Sequence, residues 1–425
     1  MNETLPKPLP ALHRLAPRAF YGWFIAGGLA CLSSVVVGIG FYGVAVFLDA
    51  LTTERGFPRA QVSFATTLYF IGTGVAGSLI GRSVDRHGAR AWILAGTAVM
   101  ALALLALGRV RGPGELVPVY LLLAGGFAMT GNVPTSAVLT RWFVVRRARA
   151  LSISQTGVSL GGVVLVPWMV WLARDHGLAD ATAALAVLVV GIGWPVATFV
   201  LRGDPADHGL APDGHATGAA APPAALLAAQ QRVWTAREAL RTPAFWFLVG
   251  SFSAILLCQV GTAMHQLSLL RVHLDARTAS LALSTTAAGS FAARLAVGSF
   301  ADRVSKRHLA ALLMCVQGAA IAGFASGTHA LPLFAASLVF GVTIGNVFML
   351  QALLVGECFG MRSFATVLGL MQLLTQTASG LGPFALGLLH DAFGSYARGI
   401  LPFVALAGVG AVLVLRVRPP SPDPA

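Results

Sequence analysis

Residues 81–90 read GRSVDRHGAR, and four of these ten residues are charged in a chain in which only 11% of residues are. Glycines occupy the first and eighth positions of the stretch, where the first would allow close packing of helices and the second, Gly88, would permit a tight reversal between two adjacent helices. A related stretch, GSFADRVSKR, follows at 298–307, where the glycine, the aspartate and the arginine directly after the aspartate lie 217 positions after the corresponding residues of the first copy. A charged loop that recurs in the same order indicates a duplicated unit.

The composition places this unit in a membrane. Hydrophobic residues make up 56% of the chain, whereas soluble domains average about 45–50%. A helix needs about 20 apolar residues to cross the hydrocarbon core of a bilayer, and 425 residues leave room for a dozen such helices. The apolar runs are continuous and do not alternate, so they favour helices over a closed barrel.

The apolar runs predict twelve transmembrane helices, arranged as two six-helix bundles. The first bundle, 20–201, contains runs at 20–48, 60–81, 91–109, 116–140, 150–172 and 179–201. The second bundle, 244–416, contains runs at 244–270, 279–300, 308–326, 330–355, 364–389 and 398–416. We expect tails at 1–19 and 417–425.

The segment between the bundles, 202–243, is rich in alanine, proline and glycine. This composition predicts a mobile linker without a packed core. Near its end we expect a short interfacial helix that turns Trp234 and Leu240 toward lipid.

The charge distribution predicts the orientation. If the N-terminus lies in the cytoplasm, then 20 of the 29 lysine and arginine residues fall in cytoplasmic loops and tails. Positive charge concentrates on that side of membrane proteins, so we expect a multi-pass protein of the cytoplasmic (inner) membrane with both termini inside. The net charge of +13 then reflects topology, and we expect no nucleic-acid partner.

The stretch at 81–90 resembles the signature G-x-x-x-D-R-x-G-x-[RK] of the major facilitator superfamily. The second copy has Ser305 in place of the second glycine. The resemblance implies an all-α integral membrane fold whose two bundles are related by a parallel repeat. It also implies that the two copies latch the cytoplasmic ends of the bundles together, although a loop that only fixes orientation is the alternative. The predicted gate residues are Gly81, Asp85, Arg86, Gly88, Arg90, Asp302 and Arg303.

A narrower resemblance covers RWFVVRRARALSISQTGVSLGG at 141–162. It is similar to the [YW]-F-x-x-R-R-x-x-A signature of monocarboxylate-porter-like members, a branch that includes bacterial oxalate–formate antiporter-like proteins. Arg149 and Ser152 depart from the pattern, which has leucine and glycine at those positions. This resemblance implies a small organic anion, a monocarboxylate, as the substrate.

Ionisable groups inside the membrane usually mark function. Arg294 lies within the eighth apolar run, and the monocarboxylate-like resemblance implies that this arginine binds substrate; the alternative is a side chain that reaches the cytoplasmic surface. His265 in the seventh run could carry a coupled proton, or it could be a buried histidine bonded to a backbone carbonyl.

The remaining substrate-binding candidates are polar but uncharged. Asn132 and Asn346 recur at matching places in the two bundles, where they could bind substrate or link helices. Tyr42 and Tyr69 complete the predicted set. No aspartate or glutamate lies clearly inside a run, and Ser290 stands where some relatives have an acidic residue. A proton relay through carboxylates is therefore not expected.

These features predict a secondary transporter that works by alternating access and moves a small organic anion. Proton symport and anion exchange both remain open. The alternatives are an exporter of drugs or other small metabolites and, less favoured, a non-transporting membrane sensor. No metal-ligand cluster, phosphate-binding loop or catalytic constellation is present, so we expect neither an enzyme nor a cofactor. We expect the protein to work as a monomer.

Overall fold

The computed structural model describes residues 19–214 and 233–420. Within these two ranges the regular secondary structure is helical. Residues 1–18 of the predicted N-terminal tail, 215–232 of the predicted linker and 421–425 of the predicted C-terminal tail lie outside the described residues.

Six helices precede residue 202, and we call them the N-half. Helix α1 covers Gly22–Thr53 and contains a π-helical stretch at Gly38–Tyr42. Helices α2 and α3 cover Arg59–His87 and Ala89–Arg109, and α4 covers Pro113–Trp142 with an interruption at Gly131. The run Arg147–Val200 comprises two helices joined at Gly177, which we call α5 (147–176) and α6 (178–200).

Six long helices follow the linker, and we call them the C-half. They are preceded by a short helix, Ala236–Arg241. Helices α7, α8 and α9 cover Pro243–Arg271, Ala276–Phe300 and Lys306–Ser326. Helix α10 covers Ala330–Phe359 with an interruption at Gly345 and Asn346, α11 covers Phe364–Phe393, and α12 covers Tyr396–Leu415.

Glycines with positive φ make the tightest reversals between these helices. Gly88 has φ +81° between α2 and α3, which confirms the predicted turn in the first motif copy. Gly177 and Gly394, themselves 217 positions apart, have positive φ between the last two helices of each half. The second motif copy turns differently, because Ser305 has φ −64° and follows a 3-10 turn at Ala301–Arg303. The serine therefore needs no left-handed conformation.

The helices form an integral membrane protein. Nine helical runs in the described part of the chain are long and apolar enough to cross a bilayer, and one of these runs contains both α5 and α6. Large apolar side chains cover the outside, with Leu79 and Val187 74% exposed and Leu331 81% exposed, as lipid contact requires. Helices α8 and α11 are long enough but more polar, so their crossing, and hence the count of twelve, stays a prediction.

Two helix pairs join the halves. The most extensive helix–helix contact in the described structure is between α2 and α11, and α5 packs along α8. Both pairs bring together one N-half and one C-half helix, and Asp85 and Arg294 lie on helices of these two seams.

The prediction of an unpacked linker is wrong for residues 202–214. Pro205 and Asp213 are buried, and the Trp142 indole Nε1–H donates to the Gly203 carbonyl at 2.9 Å. Trp234 was expected to face lipid, but it is only 7% exposed and its ring lies 5.4 Å from that of Phe359. Both described ends of the linker pack against neighbouring segments of the helical halves, and composition alone does not reveal these contacts.

Candidate functional site

A cavity of about 150 Å³ lies between the halves. Its walls come from both halves, so a molecule inside it would contact both of them. Most of the lining is apolar, including Phe41, Phe127 and Phe348. The polar lining residues with amide or charged side chains are Asn132, Gln155, Gln259, Arg294, Gln372 and Gln376.

Arg294 supplies the cavity's positive charge. It lies on α8 and is 3% exposed. Its Nη1 donates to the backbone carbonyl of Gln155 across the α5–α8 seam, and its Nε, also buried, has no hydrogen-bond partner. In the part of the chain that the structure describes, no carboxylate forms an ion pair with Arg294. Burial of a guanidinium without a carboxylate partner is energetically costly.

The interruption of α10 makes room for this guanidinium. A Cβ atom added at Gly345 would lie 2.7 Å from Cγ and 2.8 Å from Nε of Arg294. Because real Cβ atoms do not approach so closely, only glycine fits beside the arginine. Gly345 therefore allows Arg294 to pack against the interruption of α10.

Asn132 lines the cavity just after the interruption of α4. Its Oδ1 accepts hydrogen bonds from Ser136 Oγ and Gln155 Nε2, both at 3.0 Å, whereas its buried Nδ2 has no partner. Gln155 thus ties Asn132 to Arg294, because its side chain bonds the asparagine and its backbone bonds the arginine.

Asn346, the repeat partner of Asn132, is placed differently. It is completely buried, its Nδ2 donates to the Val342 carbonyl at 3.0 Å, and it does not contribute to the described cavity lining. The structure therefore places Arg294 and Asn132 together in the cavity lining, whereas Asn346 lies outside the described lining.

The two tyrosines also separate. Tyr42 ends the π-helical stretch of α1, lines the cavity and interacts electrostatically with Arg294. Tyr69 is buried within the N-half, where its hydroxyl donates to the Gly40 carbonyl, and it is absent from the described lining. Tyr69 thereby supports the π-helical stretch that carries Tyr42.

His265 joins α7 to α11 and α12, away from the described cavity lining. Its Nε2 lies 3.1 Å from the Pro383 carbonyl oxygen, and its Nδ1 lies 3.1 Å from the Tyr396 hydroxyl. A carbonyl only accepts hydrogen bonds, so Nε2 carries a hydrogen, and in the neutral ring Nδ1 accepts from Tyr396. This arrangement is that of a histidine bonded to a backbone carbonyl.

Sequence reasoning missed Gln259 as a site residue. It lies on α7, is 5% exposed, lines the cavity and has a buried Oε1 without a partner. The available signal was an amide inside the apolar run ILLCQVG, but such residues are equally common as links between helices.

The two charged motif copies lie at one end of the bundle, which we call the motif face. Asp85 Oδ1 accepts from Ala365 N at 2.9 Å, and its Oδ2 accepts from Thr366 N at 2.8 Å and Thr366 Oγ1 at 2.6 Å. A carboxylate at the N-terminus of α11 satisfies free N–H groups and interacts favourably with the helix dipole. Asp85 therefore ties the N-half to the C-half.

Asp302 makes the reciprocal contact at the N-terminus of α5. Its Oδ1 accepts from Ala148 N at 2.7 Å, and its Oδ2 accepts from Arg149 N at 3.2 Å. Burial raises the pKa of the Asp302 carboxyl above its usual range, and the two backbone donors oppose that shift.

The motif glycines allow the helices to approach this closely. A Cβ at Gly81 would lie 2.3 Å from the Ala365 carbonyl oxygen. Of the predicted gate arginines, Arg86 and Arg303 are exposed, and Arg90 donates to the Thr198 carbonyl at 3.3 Å within its own half. At the motif face, the two aspartates, and not these arginines, form the described hydrogen bonds between the halves.

Comparison with known proteins agrees with this architecture. The sequence profile of the Major Facilitator Superfamily matches residues 30–271 and 260–425. Monocarboxylate transporter 13 of Bos taurus is 26% identical over 416 residues, which cover 94% of this chain and 90% of that protein.

Two solved structures share the fold. The human organic anion transporter MFSD10 has a TM-score of 0.66 at 14% identity, covering 93% of this chain and 98% of that one. The E. coli fucose:proton symporter FucP has a TM-score of 0.64 at 14% identity, covering 93% and 99%. The profile match over nearly the whole chain shows that this protein belongs to the Major Facilitator Superfamily, a family of membrane transporters and not of enzymes.

Proposed function

We propose that the protein is a secondary transporter that moves a small organic anion, a monocarboxylate, by alternating access. The observation that carries this proposal is the buried guanidinium of Arg294, which lines the cavity between the halves without a carboxylate partner among the described residues. A bound carboxylate would neutralise it.

The chemistry of the site supports an anion with a planar carboxylate. A guanidinium presents a rigid fork of donors that matches a carboxylate in two parallel hydrogen bonds. The unpartnered Nε of Arg294 and Nδ2 of Asn132 are both donors, and donors are what an anion requires. Monocarboxylate transporter 13, which is similar over most of its length, supports the same substrate class.

The contacts between the halves support alternating access. Asp85 and Asp302 close the motif face, and the proposed anion site lies farther along the same seams. By the positive-inside rule the motif face is cytoplasmic. The structure would then be the state closed toward the cytoplasm. Release of the substrate inside the cell would require Asp85 to leave the N-terminus of α11 and Asp302 to leave the N-terminus of α5.

The cavity offers no obvious site for a coupled proton. No aspartate or glutamate is among the residues that the structure places in its lining, and His265 lies outside it. We therefore propose anion exchange, or symport in which the proton compensates the charge of a weak acid, without a relay of carboxylates.

Uptake into proteoliposomes tests the proposal. Radiolabelled lactate, pyruvate, oxalate and formate would be offered with and without an imposed pH gradient, and with unlabelled acid inside to detect exchange. Arg294→Ala is compared with Arg277→Ala, which removes an exposed arginine from the same helix. We expect uptake by the native protein and by Arg277→Ala. In Arg294→Ala we expect the uptake rate to fall at least about tenfold, which corresponds to the loss of one hydrogen bond to a charged group.

Two results would refute the proposal. If none of the four acids enters, the monocarboxylate assignment is wrong. If Arg294→Ala transports as well as Arg277→Ala, the cavity arginine is not the anion site. Stimulation by an inward proton gradient would identify symport, whereas dependence on internal acid would identify exchange.

The aromatic part of the cavity wall favours a second candidate, export of a larger organic molecule. Phe41, Phe127 and Phe348 would suit an apolar body attached to the anionic group. Resistance of cells that overproduce the protein to lipophilic organic acids, with no carboxylate uptake by vesicles, would favour export over uptake of small acids.

A further inference from the structure

Asp213 lies at the end of the described linker segment that follows α6. It is 6% exposed and has φ +61°, the only positive φ of a residue other than glycine in the ranges 19–214 and 233–420. A non-glycine residue in this conformation is uncommon and is held there by its contacts.

Those contacts are three hydrogen bonds to consecutive backbone N–H groups. Asp213 Oδ2 accepts from Val144 N and Val145 N, each at 2.8 Å, and Oδ1 accepts from Arg146 N at 3.0 Å. These three residues form the loop between α4 and α5. Successive N–H groups that converge on one anion hold the backbone in a fixed conformation, so Asp213 sets the shape of this loop.

The next N–H groups along the chain belong to the latch between the halves. Asp302 of the C-half accepts from Ala148 N and Arg149 N, at the second and third residues of α5. Within the continuous stretch 144–149, the N–H groups of residues 144–146 therefore bind a carboxylate of the linker, and those of residues 148 and 149 bind a carboxylate of the C-half.

Arg147 lies between the two carboxylates. It is 7% exposed, its Nε donates to the Phe143 carbonyl at 3.1 Å, and its Nη2 has no hydrogen-bond partner. The charges of Asp213, Glu357 and Asp302 all act on it. The loss of one of these carboxylates would leave this buried cation less well compensated.

We propose that Asp213 is a positioning residue for closure of the motif face: it holds loop 143–146 so that the start of α5 presents aligned donors to Asp302. Without it, three backbone N–H groups lose their acceptor, the loop relaxes, and the Asp302 contact weakens. The linker thus stabilises the state that is closed at the motif face. This inference rests on the proposed alternating access, because closure must be reversible for the residue to matter.

Spin-label distances across the motif face test this role without any substrate. In a background without the four native cysteines, labels would be placed at His87→Cys and Val304→Cys, exposed positions on opposite halves. Asp213→Asn keeps the shape of the side chain and tolerates positive φ, but it removes the charge. We expect the ratio of long to short distances to rise about tenfold, as for the loss of one charge-assisted hydrogen bond.

Asp204→Asn is the matched control. Asp204 lies on the same linker segment, and its ion pair with Arg141, at 3.4 Å, is 51% exposed on the aspartate side. Such a pair contributes little, so its removal should leave the distances unchanged. The melting temperature of each variant separates a shift between two folded states from unfolding.

The double variant Asp213→Asn/Asp302→Asn shows whether Asp213 acts through Asp302. If it does, the double variant opens no further than Asp302→Asn alone, because coupled residues are not additive. An unchanged distance distribution in Asp213→Asn, or full additivity in the double variant, would overturn the inference. A distance shift in a protein that transports no carboxylate would instead retain this role and reject the proposed substrate.

Discussion

The two halves hold each other by the same contact, made twice. Asp85 binds the N–H groups of Ala365 and Thr366 at the second and third residues of α11. Asp302 binds the equivalent pair at the start of α5, and donors and acceptors alike are related by the shift of 217 positions. The repeat therefore preserves a helix-capping contact between halves, and not only a loop sequence.

The two contacts differ in what supports them. Thr366 adds its hydroxyl as a third donor to Asp85, whereas Arg149 stands at the equivalent position and adds none. The α5 loop is instead held by Asp213, while at the other end of the linker Trp234 N donates to Ser363 Oγ at 2.8 Å, just before α11. The contact with fewer direct donors has the stronger support from the linker.

The largest expected effect comes from the motif glycines. In Gly81→Ala the new Cβ would lie 2.3 Å from the backbone oxygen of Ala365, so α2 and α11 must separate. In Gly298→Ala it would lie 2.2 Å from Cβ of Ser152, a small side chain. Overpacking of this kind costs about 1–3 kcal/mol, and we expect Gly81→Ala to open the motif face in the spin-label assay and to abolish transport.

The second glycine provides the control for this prediction. In the double variant Gly298→Ala/Ser152→Gly the motif face should close normally, because Ser152→Gly removes the side-chain atoms with which the new Cβ clashes. No such partner substitution exists for Gly81, whose neighbour is backbone. Normal closure in Gly81→Ala would show that α2 and α11 need not approach so closely.

The aspartates should give the next largest effect, and an unequal one. Asparagine keeps one side-chain oxygen as an acceptor, so each substitution removes only part of the roughly 1.5–3 kcal/mol that a hydrogen bond to a charged group contributes. Asp85 has three donors where Asp302 has two. We expect Asp85→Asn to raise the open population more than Asp302→Asn does in the same assay. Thr366→Val, which removes the extra hydroxyl donor, should bring the Asp85 contact close to its counterpart. Equal effects of the two aspartate variants would contradict this ranking.

Substitution of the two paired asparagines should have smaller effects, and these effects should differ between the two residues. Asn132 lines the cavity with an unpartnered donor, whereas Asn346 lies behind it. Asn132→Ala should raise the KM for the carboxylate roughly fivefold, the value of about 1 kcal/mol for one hydrogen bond. Asn346→Ala should leave KM unchanged, because Asn346 is not in the described cavity lining. The reverse pattern would mean that the second half holds the substrate.

Patterns that repeat along the chain predicted the structure best. The apolar runs predicted where the described helices lie, and glycine at position 88 predicted the reversal observed there. Each of these features follows from local sequence, because lipid and backbone geometry act on every residue in the same way.

Contacts between distant segments were not readable in this way. The composition around Asp213 indicated a mobile linker, and nothing local shows that its carboxylate meets a loop 67–69 positions earlier. Asn346 matches Asn132 in the repeat, yet its described side-chain bond is to Val342 of its own helix, whereas Asn132 also bonds Gln155 of another helix. The sequence repeat predicted the matching positions of these two asparagines along the chain but not their hydrogen-bond partners.

We propose that Arg294 binds the carboxylate of the substrate. Calorimetric titration of lactate, pyruvate, oxalate and formate into the purified protein tests this role most directly, with Arg294→Ala and Arg277→Ala measured beside it. We expect that at least one of these acids binds the native protein and Arg277→Ala, and that Arg294→Ala binds none. Binding that persists in Arg294→Ala, or no binding of any acid to the native protein, would contradict it.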